Sequence, residues 1–209
     1  TISFSDVSGI RTWTIDDGAD VNFEFRGVES IIFSDKTQTL EITSGTFIDG
    51  VVEGLAYTTS SGLEGFTDEY GQFDYRDGDN VTFSIGNIEI GTIDSADIVD
   101  GLVFLQDLAD VSRTDLNDDY VENMAVLLQS LDDNSDAYDG IVITENMHKT
   151  FSDESFDLST ISEADLINII ESNGMEAQSE IEAMTHVQDM LEIYTDLDSD
   201  DFGEHLSDS

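Results

Sequence analysis

Asp118-Asp-Tyr-Val-Glu-Asn-Met-Ala-Val-Leu-Leu-Gln-Ser-Leu131 (DDYVENMAVLLQSL) divides the chain. Val121, Met124, Leu128 and Leu131 recur at steps of three and four, which places them on one face of a helix. Asp115 to Asp119 lead into it with capping oxygens and with negative charge at the positive end of the helix dipole. Upstream the period is two. TWTI (12–15), VNFEF (21–25), SIIFS (30–34), QTLEIT (38–43), VVEGLAYTT (51–59), GQFDY (71–75), NVTFSIG (80–86) and IEIGTI (88–93) are β-branched or aromatic runs between Gly, Asp, Asn or Ser turns. Val21, Phe23 and Phe25 alternate with Asn22 and Glu24, the pattern of a half-buried antiparallel strand.

Downstream of about residue 95 the helical period continues. A second helix is predicted from its cap Ser162 to about Ser172, ending at Asn173-Gly174. A third, over 176–194, puts Ile181, Met184, Val187, Leu191 and Tyr194 on one side. Strands first and helices after predict an α+β fold: an antiparallel β-sandwich-like N-terminal part with helices packed in the C-terminal half. We expect residues 1–209 to be a single module, with a sub-boundary near 46–50.

Charge sets the next constraint. The chain has 48 Asp and Glu against 6 Lys and Arg, a formal net charge of -42. Between Thr150 and Ser209 seventeen acids stand with no Lys or Arg. Ion pairs cannot neutralise these carboxylates, because the partners do not exist. The field repels nucleic acid and anionic membranes and pushes the folded chain apart unless cations reduce it. A salt-rich cytoplasm or a calcium-containing exterior supplies such cations, and ions bound by the folded state stabilise it by mass action. There is no Cys and no Pro, so disulfides are excluded and calcium is the available cross-link for a secreted module. No run approaches a membrane span, and a chain starting at Thr1 reads as part of a larger protein.

Four acidic stretches are candidate calcium sites, since calcium takes oxygen ligands. Leu131 to Ile141 (LDDNSDAYDGI) holds Asp132, Asp133, Asn134, Asp136 and Asp139, with Glu145 beyond. Its alternating start resembles an EF-hand loop, but Gly140 stands eight residues after Asp132 instead of five, and Glu145 is one residue late. It reads as a calcium loop of another shape, and its place between a helix and Ile141-Val142-Ile143 makes it a structural clamp. Asp196, Asp198 and Asp200 form a second alternating set in the tail, and Asp115, Asn117 and Asp119 a third that also serves as a helix cap. The fourth, Asp68 to Asp79, carries Asp68, Tyr70, Tyr75, Asp77 and Asp79 as candidate ligand-binding residues, around an Asp77-Gly78 read as a hairpin turn. The competing reading is a water-screened turn for the first, a frayed terminus for the tail, a plain helix cap for the third and an ordinary hairpin turn for the fourth.

Catalysis finds little support. Only His148, His186 and His205 are available as bases, and there is no HExxH, CxxC, phosphate-cradling glycine loop or nucleophile elbow. His186 reads as a packing or surface residue. We therefore expect no enzyme.

Residues 54–92 (GLAYTTSSGLEGFTDEYGQFDYRDGDNVTFSIGNIEIGT) and 123–144 (NMAVLLQSLDDNSDAYDGIVIT) together resemble a module of large secreted proteins of Gram-negative bacteria. The likeness is to the calcium-dependent peptide-binding domain of giant RTX adhesins and spans about residues 50–173. It implies a non-catalytic, extracellular or cell-surface module within a longer chain, monomeric there. It also implies Ca2+ at Asp132, Asn134, Asp136 and Asp139, and partners that are peptide or protein C-termini on host, algal or bacterial surfaces. A domain this acidic does not attract a carboxylate unaided, and a cation with an open coordination position resolves that conflict. The alternatives are a calcium-stiffened spacer and an acidic halophilic hydrolase.

Overall fold

Alternating apolar residues on short strands build two sheets that close on each other through phenylalanines. The structure, a computed structural model, describes residues 41–205 throughout and, ahead of them, the backbone of five strands. Those are β1 (Ile2–Val7), β2 (Ile10–Asp16) and β3 (Asp20–Glu24) in one antiparallel sheet, and β4 (Ser30–Ile32) paired with β5 (Thr37–Thr39). The predicted facing of Val21, Phe23 and Phe25 concerns side chains outside the described residues.

From residue 42 the strands are β6 (Ile42–Ile48), β7 (Val52–Glu53), β8 (Ala56–Thr59), β9 (Glu64–Phe66), β10 (Gln72–Arg76), β11 (Asn80–Ile85), β12 (Ile88–Asp94) and β13 (Leu102–Phe104). One sheet runs β10-β6-β13 and the other β12-β11-β8-β9. Phe47 on β6 and Phe73 on β10 each meet Phe83 of β11 edge to face, with ring centroids 4.9 Å apart. Gly45 permits this packing, because a Cβ there would lie 2.6 Å from the Phe73 ring. Val81, Phe83 and Ile85 are wholly buried while Thr82 and Ser84 are only partly so, the period-two signature expected of the sequence.

The helices are α1 (Leu105–Ala109), α2 (Asp119–Ser130), α3 (Glu145–Thr150), α4 (Glu163–Ser172) and α5 (Glu180–Tyr194), with a short strand β14 (Ile141–Val142) between α2 and α3. The fold is α+β, strands mainly first and helices mainly after. Among the described residues no helix is long and apolar enough to cross a membrane.

Four features differ from the sequence reading. β13 pairs with β6 and β14 with β7 in parallel, so the β part is not purely antiparallel. Both parallel pairs bring a later strand back to the start of the module, which ties the helical half to the sheets. Asp77-Gly78 is not a hairpin turn: β10 pairs with β6, and β11 with β8 and β12, so the turn is a corner between sheets. Asp79, wholly buried, closes that corner by accepting from the Arg76 N–H at 2.8 Å and from the Ser61 N–H and hydroxyl, both at 2.8 Å.

The third difference is in α2, whose residues from Val121 to Ser130 are all buried. The predicted apolar face is correct, but Ala125, Val126 and Leu127 fill the other sides, because α2 runs beneath α1, α4 and α5. The fourth lies in α5, where Ile181 is exposed and Tyr194 borders on it. The buried ridge is Ala183, Met184, Val187, Met190 and Leu191, rotated from the predicted face. It carries His186 inward with it.

Candidate cation-binding sites

The acidic loop after α2 is shaped by its own side chains. Asp132 is 5% exposed, and its Oδ1 accepts from the Val142 N–H and its Oδ2 from the Asp136 N–H, both at 2.9 Å. The Asn134 Oδ1 also accepts from the Asp136 N–H, at 2.8 Å, while its amide donates to Asp139 at 3.2 Å. Asp136 in turn accepts from the Tyr138 N–H at 3.3 Å. Short polar side chains that bond nearby backbone groups are what turns select for, and Ser135 sits in the left-handed region at φ 64°. Asp133 points to solvent. Glu145 begins α3, exposed, where a hydrogen bond and the charge of Lys149 at 2.7 Å hold its carboxyl below the ordinary value.

Behind this loop lies a buried polar cluster. The His186 Nε2 donates to the Ala137 carbonyl at 3.0 Å, and Nδ1 faces the Asp49 carboxylate at 3.3 Å. Gln129 donates to Asp49 at 3.1 Å and to the Ala183 carbonyl at 3.1 Å. Burial pushes the Asp49 carboxyl up, against the hydrogen bond and charge of His186 and the bond from Gln129. Burial pulls the His186 imidazole down. The hydrogen bond and charge of Asp49, the Ala137 carbonyl and the charge of Asp189 outweigh it and hold His186 above its ordinary value. A proton kept in the Asp49–His186 bond lets the ring serve the carboxylate on one side and the carbonyl on the other. The Tyr138 hydroxyl donates to Asp189 at 2.7 Å, and that bond, with burial and the Asp189 charge, pushes it up to about 12. The acidic loop is thereby bound to α5.

A cavity of about 290 Å3 and another of about 230 Å3 open on the helical half. The smaller lies against the acidic loop, with Gln129 and His186 buried in it and Asp136, Tyr138 and Glu182 at its exposed side. The Gln129 Oε1 is buried with no hydrogen-bond partner among the described residues.

The other predicted residues take separate roles. The cap of α2 is Asp118, which accepts from the N–H groups of Tyr120 and Val121. Asp115 accepts from the Asn117 N–H at 3.0 Å, Asn117 donates to the Glu204 carbonyl at 3.2 Å, and Asp119 is the first residue of α2. In the tail, Asp198 accepts from the Asp200 N–H at 3.0 Å, Asp200 is exposed on that turn, and Asp196 is exposed on the bend that follows α5. Asp68 accepts from the N–H groups of Tyr70 and Gln72, both at 2.9 Å. Tyr70 is exposed, Tyr75 is packed in the core beside Phe73, and Asp77 flanks the corner that Asp79 closes. Each set forms its own turn or corner.

One grouping escaped the sequence reading. Glu122 in the first turn of α2, Glu180 at the start of α5 and His205 in the tail bring their ligand atoms within 4.8 Å of one another. The His205 Nε2 lies 3.3 Å from Glu122 Oε1 and 3.1 Å from Glu180 Oε1. Both glutamates are more than nine-tenths buried and line the larger cavity. Burial holds the His205 imidazole below its ordinary value. Among the described residues this is the group of three His or acidic side chains placed to hold a metal ion. Its sequence signal was weak: a glutamate in the first turn of a helix that is then buried on every side. No protein-family model, curated protein or solved structure matches the chain.

Proposed function

We propose that this chain is a non-catalytic, calcium-dependent ligand-binding module of a large secreted bacterial adhesin. Its ligand is the free C-terminal end of a peptide or protein on a host, algal or bacterial surface. We assign the ligand's terminal carboxylate to the cavity of about 230 Å3 beside the acidic loop. The observation that carries this reading is a mismatch: the cavity is lined by Asp136 and Glu182, with no Lys or Arg. Elsewhere among the described residues Arg113 is bound to Asp107 at 2.8 Å, Arg76 is buried against Ser61, and Lys149 pairs with Glu145. No described Lys or Arg lines the cavity, and the His186 ring is already engaged by Asp49 and the Ala137 carbonyl, so a metal ion is the mediator this reading assigns to a carboxylate.

The donor chemistry fits calcium. Asp132, Asn134, Asp136 and Asp139 offer oxygen alone, as does the Gln129 Oε1, and each oxygen already engaged by a backbone N–H keeps a further lone pair. Asp132 and its neighbours would hold a structural ion, and Asp136 with Gln129 would face the ligand. Calcium there supplies charge that the ligand carboxylate can share. The chain's own residues shape the cavity, with Tyr138 as an aromatic wall against the ligand's last side chain.

The test is calorimetric titration with a free-carboxyl peptide library and its amidated counterpart, each with calcium and with EDTA. Binding only by the free carboxyl and only with calcium is expected, and Asp136→Asn should weaken it at least about tenfold, a change of about 1.4 kcal/mol. Full binding in EDTA, or equal binding of amidated peptides, overturns the proposal.

A further inference from the structure

We propose that Glu122, Glu180 and His205 form a transition-metal site, of the class zinc fills, that staples the C-terminal tail onto α2 and α5. The site is separate from the calcium-dependent cavity and does not rest on that reading.

Three observations converge on it. The first is electrostatic. Two carboxylates, 8% and 4% exposed, sit together in a protein of net charge -42. Burying like charges side by side is costly unless a cation lies between them. One imidazole nitrogen stands against a carboxylate oxygen of each glutamate, and a divalent ion among the three atoms would balance both acids. Each glutamate lies in the first turn of its helix, where the helix dipole favours the ionised form a metal requires.

The second is geometric. Ligands held about 2.0–2.1 Å from a tetrahedral ion stand about 3.3 Å apart along each edge. The Nε2-to-carboxylate separations are 3.3 and 3.1 Å, close to that edge. The first is also longer than the roughly 2.7–2.9 Å of a charge-assisted hydrogen bond. The tail's course is fixed independently of the histidine: Asn117 holds the Glu204 carbonyl at 3.2 Å, and Leu197 and Phe202 pack against the core.

The third concerns the choice of metal. One nitrogen and two carboxylates make a donor set for zinc and its neighbours, whereas calcium and magnesium select oxygen alone. Three protein ligands leave a fourth position, and both glutamates line the cavity of about 290 Å3 from which a water or an outside carboxylate can enter.

The experiment is a Co2+ titration of the full chain in calcium-saturated buffer without peptide, followed by visible absorption, so that oxygen-only surface sites are already filled. One equivalent of Co2+ should give the bands of a low-coordinate site, and Zn2+ should displace it. His205→Ala should lose the bands, and Glu180→Gln should weaken binding by on the order of 100-fold. Should either variant fail to fold by circular dichroism, the imidazole proton resonances of the unsubstituted chain give the same answer, since Zn2+ must shift one histidine of the three at stoichiometry. Absent bands, bands unchanged in His205→Ala, or displacement by calcium as readily as by zinc would each overturn the site. A failure of peptide binding leaves this measurement untouched.

Discussion

The acidic loop 131–141 and the Glu122–Glu180–His205 cluster are both rich in carboxylates, yet they are built in opposite ways. In the loop the partners are neighbours: Asp132 reaches Asp136 four residues on and Val142 ten residues on, and Asn134 reaches Asp136 two residues on. Its acids are first of all the framework of a turn, made by side chains that accept from the backbone beside them. In the cluster the ligands come from two helices and the tail, His205 standing 83 residues from Glu122. Nothing local is gained by that approach, and a shared cation is what we propose draws the buried acids together. A dense run of aspartates thus marks a loop's shape, while the cluster gathers acids from the first turns of two helices.

The substitution that tests this contrast hardest is Asp132→Ala. The Val142 N–H loses its acceptor and the Asp136 N–H keeps only Asn134, so unfolding free energy should fall by about 2–3 kcal/mol. Asp133→Ala, one position on and exposed, should change it by less than about 0.5 kcal/mol. Urea denaturation with unchanged slope measures both, and equal effects would mean that the loop is not closed by Asp132.

Asp49→Ala comes next. It leaves the Gln129 amide and the His186 ring without their carboxylate, at about 2–3 kcal/mol, and it should weaken peptide binding because the cavity beside the loop loses its backing. Calcium at a hundred times its dissociation constant should add about 2.7 kcal/mol of stability, read as a rise in melting temperature. Molar sodium chloride giving the same rise would favour a general charge-screening protein over specific ion sites.

The pH response is smaller and has a definite sign. His186 is held above its ordinary value of 6.5 in the folded chain. Its contribution is therefore fully present below 6.5 and lost as pH rises through the folded value. Asp49, raised from 3.8, acts in the same direction. Melting temperature should decline on the alkaline side, and His186→Gln should flatten that decline. The smallest effect belongs to the tail acids: Asp198→Asn and Asp200→Asn, exposed at their turn, should shift stability by no more than about 0.5 kcal/mol.

Much of the fold was legible because its signals are local. The period of Val81, Phe83 and Ile85, the apolar steps of α2 and the Ser162 cap of α4 depend on residues a few positions apart, and each is found where the sequence places it. The corner at Asp77-Gly78 misled for the same reason. A two-residue turn looks alike whether the flanking strands pair with each other or leave for different sheets, and only the remaining strands decide. Ile181 and His186 illustrate the limit for helices, since a ridge on α5 is chosen by what packs against it.

The sequence by itself determined the strand-then-helix order, the net charge of -42 and the oxygen-rich loop after α2, because composition and short periods carry that information. Only the tertiary structure decided that Asp49 and His186 would anchor that loop and that Glu122, Glu180 and His205 would meet. Those contacts join segments with no local reason to approach. They arise because burying α2 on every side leaves its polar residues to find partners wherever the packed chain presents them.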